Sequence, residues 1–309
     1  MSLANFLNIV YPGKPAFIKE SWIQGSVPRH LWMFTAISNY VKNQKPGPNF
    51  SLLEVGTWMG SSILTWAEAM VKHNQSDGSI TCVDPMEPYF DASEQSSAIN
   101  YENPDHAAVA DEMLHEMRAL LEGDFVYDIW NHNRRLIPDT IPVTLLREAS
   151  VTVLPKLRDE SFHVVYVDGS HFYDDVLADL REAKRIVKPG GIVCGDDLEL
   201  KQHQCDLEFA KAHKHLDFPT DPKTGHPFHP GVTLAVGEMF DDVSLYDGFW
   251  MAQKTPDGFQ PYYLDHYQKH TPAHFQGNVK AYYENYTSRY FKNDPSQPIN
   301  TSQKPMTKV

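Results

Sequence analysis

Five short apolar runs constrain the fold of this chain more than any other feature of its sequence. They read SLLEVGT, SITCVDP, IPVTLLRE, HVVYVDG and GGIVCGD, and helical patterns separate most of them. The runs are almost continuously hydrophobic and β-branched rather than alternating, which indicates strands buried on both faces of a parallel sheet. The sequence therefore predicts an open, doubly wound α/β fold.

Further elements complete this predicted sheet. The segment VPRHLWMFTAISNYV has apolar residues at helical spacing and lies in a predicted N-terminal helical segment, 1–50. After the fifth run, GVTLAVGEMF has helical spacing, and VSLYDGFWMAQK predicts two antiparallel strands around an Asp247-Gly248 turn. The main domain is therefore expected to span 51–254, with a mostly parallel sheet that ends in an antiparallel hairpin.

Two insertions, 87–140 and 198–229, interrupt the main domain. Both leave from or return near the carboxyl edge of the sheet, where loops usually form lids and substrate walls. The second insertion contains His203, His213, His215, His226 and His229, but it lacks supporting cysteines and regular ligand spacing. We therefore do not predict a zinc site there.

The C-terminal extension, 255–309, contains a helical stripe of Tyr282, Tyr283, Tyr286 and Tyr290. Such a stripe indicates packing within the chain or a contact in a homo-oligomer more often than it indicates a cofactor site. The polar stretch that follows it, NDPSQPINTSQKPMTKV, is predicted to be disordered.

Charge and composition narrow the class of partner. The formal net charge of -13 argues against nucleic acid, because binding phosphates requires clustered Lys and Arg. No apolar stretch approaches the length that spans a bilayer, and the first residues lack the pattern of a secretory signal. The 3 cysteines are too few for a disulfide framework. We expect a soluble cytoplasmic protein with a small-molecule or protein partner.

A glycine-containing turn follows the first predicted strand, in LLEVGTWMGSS. Gly56 and Gly60 would let the backbone approach a ligand, and the following helix start favours a carboxylate or phosphate. The spacing differs from the dinucleotide fingerprint, and Asp84 ends the next strand, where a carboxylate can accept both hydroxyl hydrogens of a ribose. A nucleotide-like ligand is predicted; the alternative is a tight turn with a capping aspartate.

Carboxylates end the fourth and fifth predicted strands. Asp168 ends one strand, Asp196 and Asp197 end the other, and parallel neighbours lie about 4.8 Å apart, so the side chains can converge. A hard divalent cation such as Mg²⁺ would relieve their repulsion. His171 lies on the same rim and could accept the proton of a substrate hydroxyl. The alternatives are that Asp196, Asp197 and His171 cap helices and Asp168 contacts only a cofactor.

The acidic residues after this rim belong to the predicted helix YDDVLADLREAKRIV. Its apolar face leaves Asp174, Asp175 and Asp179 as first-turn partners of the helix dipole and as solvated surface.

Two motifs together resemble one enzyme family. These are E-x-G-x-x-x-G-x-S, formed by Glu54, Gly56, Gly60 and Ser62, and YVDGSHFYDDVLADLREAKRIVKPGGIVCGDD, with Asp84 between them. The chain is similar here to class I S-adenosylmethionine-dependent methyltransferases. Within them it most resembles the macrocin O-methyltransferase and cephalosporin-hydroxylase-like group. The resemblance covers roughly 51–254 outside the insertions.

The resemblance implies a seven-stranded Rossmann-like sheet and a set of site residues. Glu54, Gly56, Gly60 and Ser62 would surround the methionine part of the cofactor, Asp84 its ribose, and Ala149 and Ser150 its adenine. Asp168 would contact the cofactor and, with Asp196 and Asp197, bind the metal, while His171 acts as base.

The implied activity is a Mg²⁺-dependent O-methyltransferase acting on a hydroxyl or vicinal diol of a small molecule, such as a sugar or natural product. Two alternatives remain. The chain could keep the fold and metal site with different chemistry, or it could be a weakly active cofactor-binding assembly subunit.

Overall fold

One eight-stranded sheet organises the chain, in a computed structural model that describes residues 2–17, 26–74, 77–98 and 104–290. The strands are β1 Ser51–Val55, β2 Ser79–Val83, β3 Val143–Leu146, β4 Phe162–Val167, β5 Val187–Leu198, β6 Ser244–Tyr246, β7 Gly248–Thr255 and β8 Gly258–Pro261. Their order is β3-β2-β1-β4-β5-β7-β6, with β8 paired to β7. The predicted doubly wound α/β fold is confirmed.

The first five strands are parallel, and the last three are antiparallel. The hairpin around Asp247 is present as predicted, and β8 is an additional strand within the segment we predicted to be a separate extension. The implied seven strands form the continuous order of the sheet, and β8 is added where the polypeptide turns back after Thr255 and pairs with β7.

Helices cover both faces of the sheet. They are α1 Leu3–Val10, α2 Arg29–Gln44, α3 Ser61–His73, α4 Ala92–Ala98, α5 Pro104–Leu121, α6 Phe125–Arg134, α7 Ser150–Val153, α8 Tyr173–Ile186, α9 Leu207–Ala212, α10 Pro230–Met239 and α11 Gly277–Thr287. Successive strand residues alternate between the two cores: Leu52 packs on the side of α2 and α3, whereas Leu53 packs on the side of α8 and α10. This alternation explains why the strands read as continuous apolar runs.

The predicted N-terminal segment is integral to the first core. Leu31, Phe34 and Ile37 of α2 are fully buried, and α2 packs directly on α3. Because α2 begins at Arg29, the packing places that residue at the carboxyl edge of the sheet. The predicted domain boundary at residue 50 thus remains a sequence-based prediction, and the residues on its two sides pack into the same core.

The tyrosines of the C-terminal stripe pack mainly within the chain. Tyr283 and Tyr286 are buried, and the Tyr283 hydroxyl donates to the His270 carbonyl over 2.8 Å. Tyr282 is exposed. These contacts agree with the intramolecular alternative, while a homo-oligomer stays a prediction. The stretch predicted to be disordered lies outside the described residues.

Across the described ranges, every helix is too short or too polar to span a bilayer.

Candidate cofactor and substrate site

A cavity of about 570 Å³ lies at the carboxyl ends of the parallel strands. Its volume is in the range of small-molecule binding sites, and its position is where α/β sheets usually bind ligands. Eight of the predicted site residues line it: Gly56, Ser62, Asp84, Ala149, Ser150, Asp168, His171 and Asp197. Glu54, Gly60 and Asp196 were also predicted, but they are absent from the described part of the cavity wall.

Gly56 brings the β1 loop against the end of β4. Its φ is +78°, and a Cβ atom there would lie 2.1 Å from the Asp168 carbonyl oxygen. Only glycine tolerates both the left-handed backbone and this approach. The residue therefore fixes the position of the loop relative to Asp168, in addition to any direct role toward a ligand.

Asp84 organises the same loop. Its Oδ2 accepts hydrogen bonds from the backbone N–H groups of Thr57 at 2.8 Å and Trp58 at 3.0 Å, and its Oδ1 accepts from Met86 N–H at 2.7 Å. A carboxylate has about four lone-pair positions, so these three bonds leave acceptor capacity for a ribose hydroxyl. The predicted turn-stabilising and ligand-binding roles are thus compatible at this residue.

Glu54 lies behind the cavity wall. It is fully buried, and Ser62 Oγ donates to its Oε1 over 2.5 Å. Burial raises the pKa of Glu54 to about 8, although the Ser62 and Thr57 hydrogen bonds act to lower it. In this arrangement Glu54 anchors the beginning of α3. Any effect on a cofactor would act through Ser62, which differs from the direct contact that we predicted.

Arg29 is a site residue that the sequence analysis missed. Its Nη1 lies 2.7 Å from Asp168 Oδ2 and 3.5 Å from Asp196 Oδ2. Burial raises the pKa of Asp168 to about 6, although Arg29 acts to lower it, and burial also raises the pKa of Asp196 well above its usual range. A single arginine after a predicted helix start carries no pattern that would indicate this long-range pairing.

The three carboxylates predicted to bind Mg²⁺ differ in their nearest charged partners. Asp168 and Asp196 face Arg29, whereas Asp197 Oδ2 lies 3.1 Å from His171 Nε2. Asp196 is also absent from the groups of potential metal ligands found among the described residues. The guanidinium supplies positive charge between Asp168 and Asp196, while Asp168 and Asp197 belong with His171 to one group of potential metal ligands. The Mg²⁺ site of all three carboxylates stays a prediction.

His171 lies between two carboxylates. Besides Asp197, it contacts Asp217, with 2.6 Å between His171 Nδ1 and Asp217 Oδ1. Burial acts to lower the pKa of His171, but Asp217 and Asp197 raise it well above its ordinary value. The two carboxylates therefore favour the protonated imidazole, whereas a histidine that acts as general base must first be unprotonated. The base role stays a prediction.

The second insertion contributes His229 to the same cluster. The rings of His171 and His229 lie 4.4 Å apart between centroids, and His229 Nδ1 lies 3.1 Å from Glu199 Oε1. Of the five histidines in the insertion, His229 alone occurs in the potential ligand groups of the described residues. Asp217 was missed, and His229 was named only among the histidines for which no zinc site was predicted, because residues of this insertion show no regular ligand spacing.

Asp179 corrects the prediction of a solvated helix surface. It is 3% exposed, lines the cavity and accepts a hydrogen bond from the Ser150 side chain. Burial raises its pKa to about 7. Its partner Ser150 is one of the residues predicted beside the adenine, so Asp179 extends that wall of the cavity. Asp174 lies at the cavity rim with its side chain exposed, as predicted.

The glycine loop, Asp84 and the ends of β4 and β5 all belong to one region of the chain. Residues 53–198 match the family model of a methyltransferase domain. This match confirms the methyltransferase prediction for that region. It does not distinguish the macrocin and cephalosporin-hydroxylase-like group.

A curated relative matches about a third of the chain. The uncharacterized protein y4gI of Sinorhizobium fredii is 30% identical over 103 residues, which cover 31% of this chain and 11% of that protein. The chain thus spans only about a tenth of the length of this curated relative.

Among solved structures, the O-methyltransferase NovP is 19% identical to this chain. The two structures match with a TM-score of 0.47 over 74% of this chain and 80% of the NovP chain. CalS11, described as a TDP-rhamnose 3'-O-methyltransferase, is 16% identical to this chain. It matches with a TM-score of 0.37 over 80% of this chain and 90% of the CalS11 chain. No feature of the substrate follows from similarity at this level.

Proposed function

We propose that the chain is an S-adenosylmethionine-dependent O-methyltransferase that acts on a hydroxyl group of a small molecule. The observation that supports this most is the cavity of the methyltransferase domain. One part of its wall is the loop organised by Asp84, and another contains Arg29, Asp168 and His171. The region proposed to bind the cofactor and the charged region proposed to react are therefore parts of one cavity.

The chain's own residues suit each part of the cofactor. Asp84 would accept a hydrogen bond from a ribose hydroxyl, and the amino terminus of α3 with the loop from Gly56 to Trp58 would favour the methionine carboxylate. Ala149, Ser150 and Asp179 would border the adenine. When bound, the cofactor supplies a methyl group on a positively charged sulfur for transfer to a nucleophilic oxygen.

The first insertion would form the substrate side. Tyr89, Met117 and Leu121 from this insertion line the same cavity as His171. Their apolar surface would exclude water, which strengthens electrostatic interactions within the site. Arg29 could then stabilise negative charge as it develops on the substrate oxygen. Holding that oxygen in line with the methyl group would be the main contribution to rate.

The Mg²⁺ dependence and the preference for a vicinal diol rested on Asp168, Asp196 and Asp197 acting together. Because Arg29 pairs with two of these residues, the proposed methyl transfer assigns no step to Mg²⁺. His171 as general base remains part of the proposal. If His171 accepts the proton of the substrate hydroxyl, the His171→Ala variant should turn over substrate roughly a hundredfold more slowly.

The test is calorimetric titration of the full chain with S-adenosylmethionine and S-adenosylhomocysteine, followed by transfer of labelled methyl groups to panels of glycosides and catechols. Each measurement is made with Mg²⁺ and with a chelator. We expect binding in both conditions and transfer to an oxygen. Absence of cofactor binding would exclude the methyltransferase proposal. Binding without transfer to any panel member would favour the assembly-subunit alternative.

A further inference from the structure

We propose that His171, Asp217 and His229 form a binding site for a divalent transition-metal ion at the edge of the cavity. Asp197 and Glu199 would orient the two imidazoles. This inference does not depend on methyl transfer, because it concerns how these five side chains are arranged.

The three proposed ligands already lie close together. Each has a potential ligand atom within 4.8 Å of the ligand atoms of the other two. Bonds of about 2.1 Å in a tetrahedral or octahedral site separate neighbouring ligand atoms by roughly 3.0–3.4 Å. Small side-chain rotations would therefore be enough to bind an ion.

The other nitrogen of each imidazole has a carboxylate partner. His171 Nε2 lies 3.1 Å from Asp197 Oδ2, and His229 Nδ1 lies 3.1 Å from Glu199 Oε1. Histidines that bind metals usually donate their second ring N–H to such a carboxylate, which fixes the tautomer and the ring orientation. The proposed ligand atoms are consequently His171 Nδ1, His229 Nε2 and one Asp217 oxygen. With both nitrogens of His171 engaged, no lone pair is left for a substrate proton, so metal binding and the general-base role are alternative roles of this residue.

The backbone holds the two histidines together. A Cβ atom at Gly231 would lie 2.2 Å from the His171 carbonyl oxygen, so glycine allows the start of α10 to approach His171. His229 is the residue that directly precedes α10, and it is 7% exposed. Asp197 has a φ of +63°, an unusual conformation for a residue other than glycine. Such strain occurs preferentially at functional sites.

The ligand chemistry selects the class of ion. Two imidazoles and one carboxylate suit Zn²⁺, Fe²⁺ or Co²⁺, whereas Mg²⁺ prefers oxygen ligands and retains water. The proposed site shares none of its three ligands with the predicted Asp168, Asp196 and Asp197 set. It also contains His229, which no spacing in the sequence singled out.

Metal binding by the full chain tests the proposal. Protein dialysed against a chelator is titrated with Co²⁺, monitored by visible absorption, and with Zn²⁺, monitored by calorimetry. We expect one ion per chain. His229→Ala and Asp217→Asn should abolish this binding, and Glu199→Gln should weaken it about ten- to a hundredfold. Circular dichroism shows whether each variant is folded.

His226→Ala is the matched control, since His226 lies in the same insertion but in none of the potential ligand groups among the described residues. It should bind Co²⁺ as the wild type does, and so should Asp168→Asn. The proposal is overturned if the wild type binds no Co²⁺ at millimolar concentration, or if folded His229→Gln binds as tightly as the wild type. Loss of binding in Asp168→Asn with retention in His229→Ala would instead place the ion on the carboxylates. Titration with S-adenosylhomocysteine reports separately on the proposed function.

Discussion

Arg29 Nη1 donates to Asp168 Oδ2 over 2.7 Å, and so connects the start of α2 to the end of β4 inside the candidate site. Both side chains are nearly buried. Removing one member of a buried ion pair leaves an uncompensated charge and typically costs about 3–5 kcal/mol. We predict a loss of that order in the free energy of unfolding for Arg29→Gln, measured by urea denaturation.

The exposed pair between Lys211 and Glu208 provides the control, because Lys211→Gln should change stability by less than about 1 kcal/mol. In the double variant of Arg29→Gln with Asp168→Asn, the loss should be smaller than the sum of the two single losses. Additive losses would mean that the two residues do not interact in solution.

The Arg29 pairing also predicts how the protein responds to Mg²⁺. Millimolar Mg²⁺ should leave the unfolding midpoint of the wild type unchanged, since the guanidinium lies between Asp168 and Asp196. Arg29→Gln should gain stabilisation by Mg²⁺, because a ligand that binds only the folded state raises its stability. Thermal denaturation at increasing Mg²⁺ concentrations measures the unfolding midpoints of the wild type and of Arg29→Gln. Stabilisation of the wild type that Asp196→Asn removes would contradict this prediction and restore the carboxylate site.

The sequence predicts the sheet and the site residues at the strand ends for the same physical reason. Buried parallel strands need continuous apolar residues, and their carboxyl ends must meet at one edge, so Asp84 and Asp168 could be placed from the primary structure. Arg29, Asp217 and His229 could not be placed this way. They reach the site through packing of α2 and of the second insertion, which depends on contacts between distant parts of the chain.

Asp179 illustrates a second limit. Its position in the first half of an amphipathic helix suggested a solvated surface, but α7 and Ser150 cover that part of α8. Asp179 lies three residues after Val176 and four before Ala183, so it borders the apolar face of α8, and its charge rather than the helical periodicity suggested a solvated position.

Gly56 should be far less tolerant of substitution than a glycine with a similar backbone in open space. An alanine Cβ at Gly56 would meet the Asp168 carbonyl oxygen at 2.1 Å, whereas Gly225, with φ +72°, has nothing within 4 Å. We expect Gly225→Ala to cost about 1–2 kcal/mol, the cost of a left-handed backbone. Gly56→Ala should cost more than about 4 kcal/mol or prevent folding. Urea denaturation compares them, and equal losses would refute the close approach of the β1 loop to β4.

The buried carboxyl of Glu54 should give stability a specific pH dependence. Burial raises its pKa from 4.5 to about 8, so between these pH values the folded chain binds more protons at this site than the unfolded chain. The contribution of Glu54 to the free energy of unfolding therefore falls as the pH rises through this window, and it is constant above it. Glu54→Gln is neutral at every pH and can still accept the Ser62 hydrogen bond, so it should lose less stability than the wild type between pH 5 and pH 8. The difference should be on the order of a few kcal/mol, measured by urea denaturation at each pH. Glu208→Gln, at an exposed position, should follow the wild-type profile. Parallel profiles for Glu54→Gln and the wild type would show that Glu54 ionises normally in the folded protein.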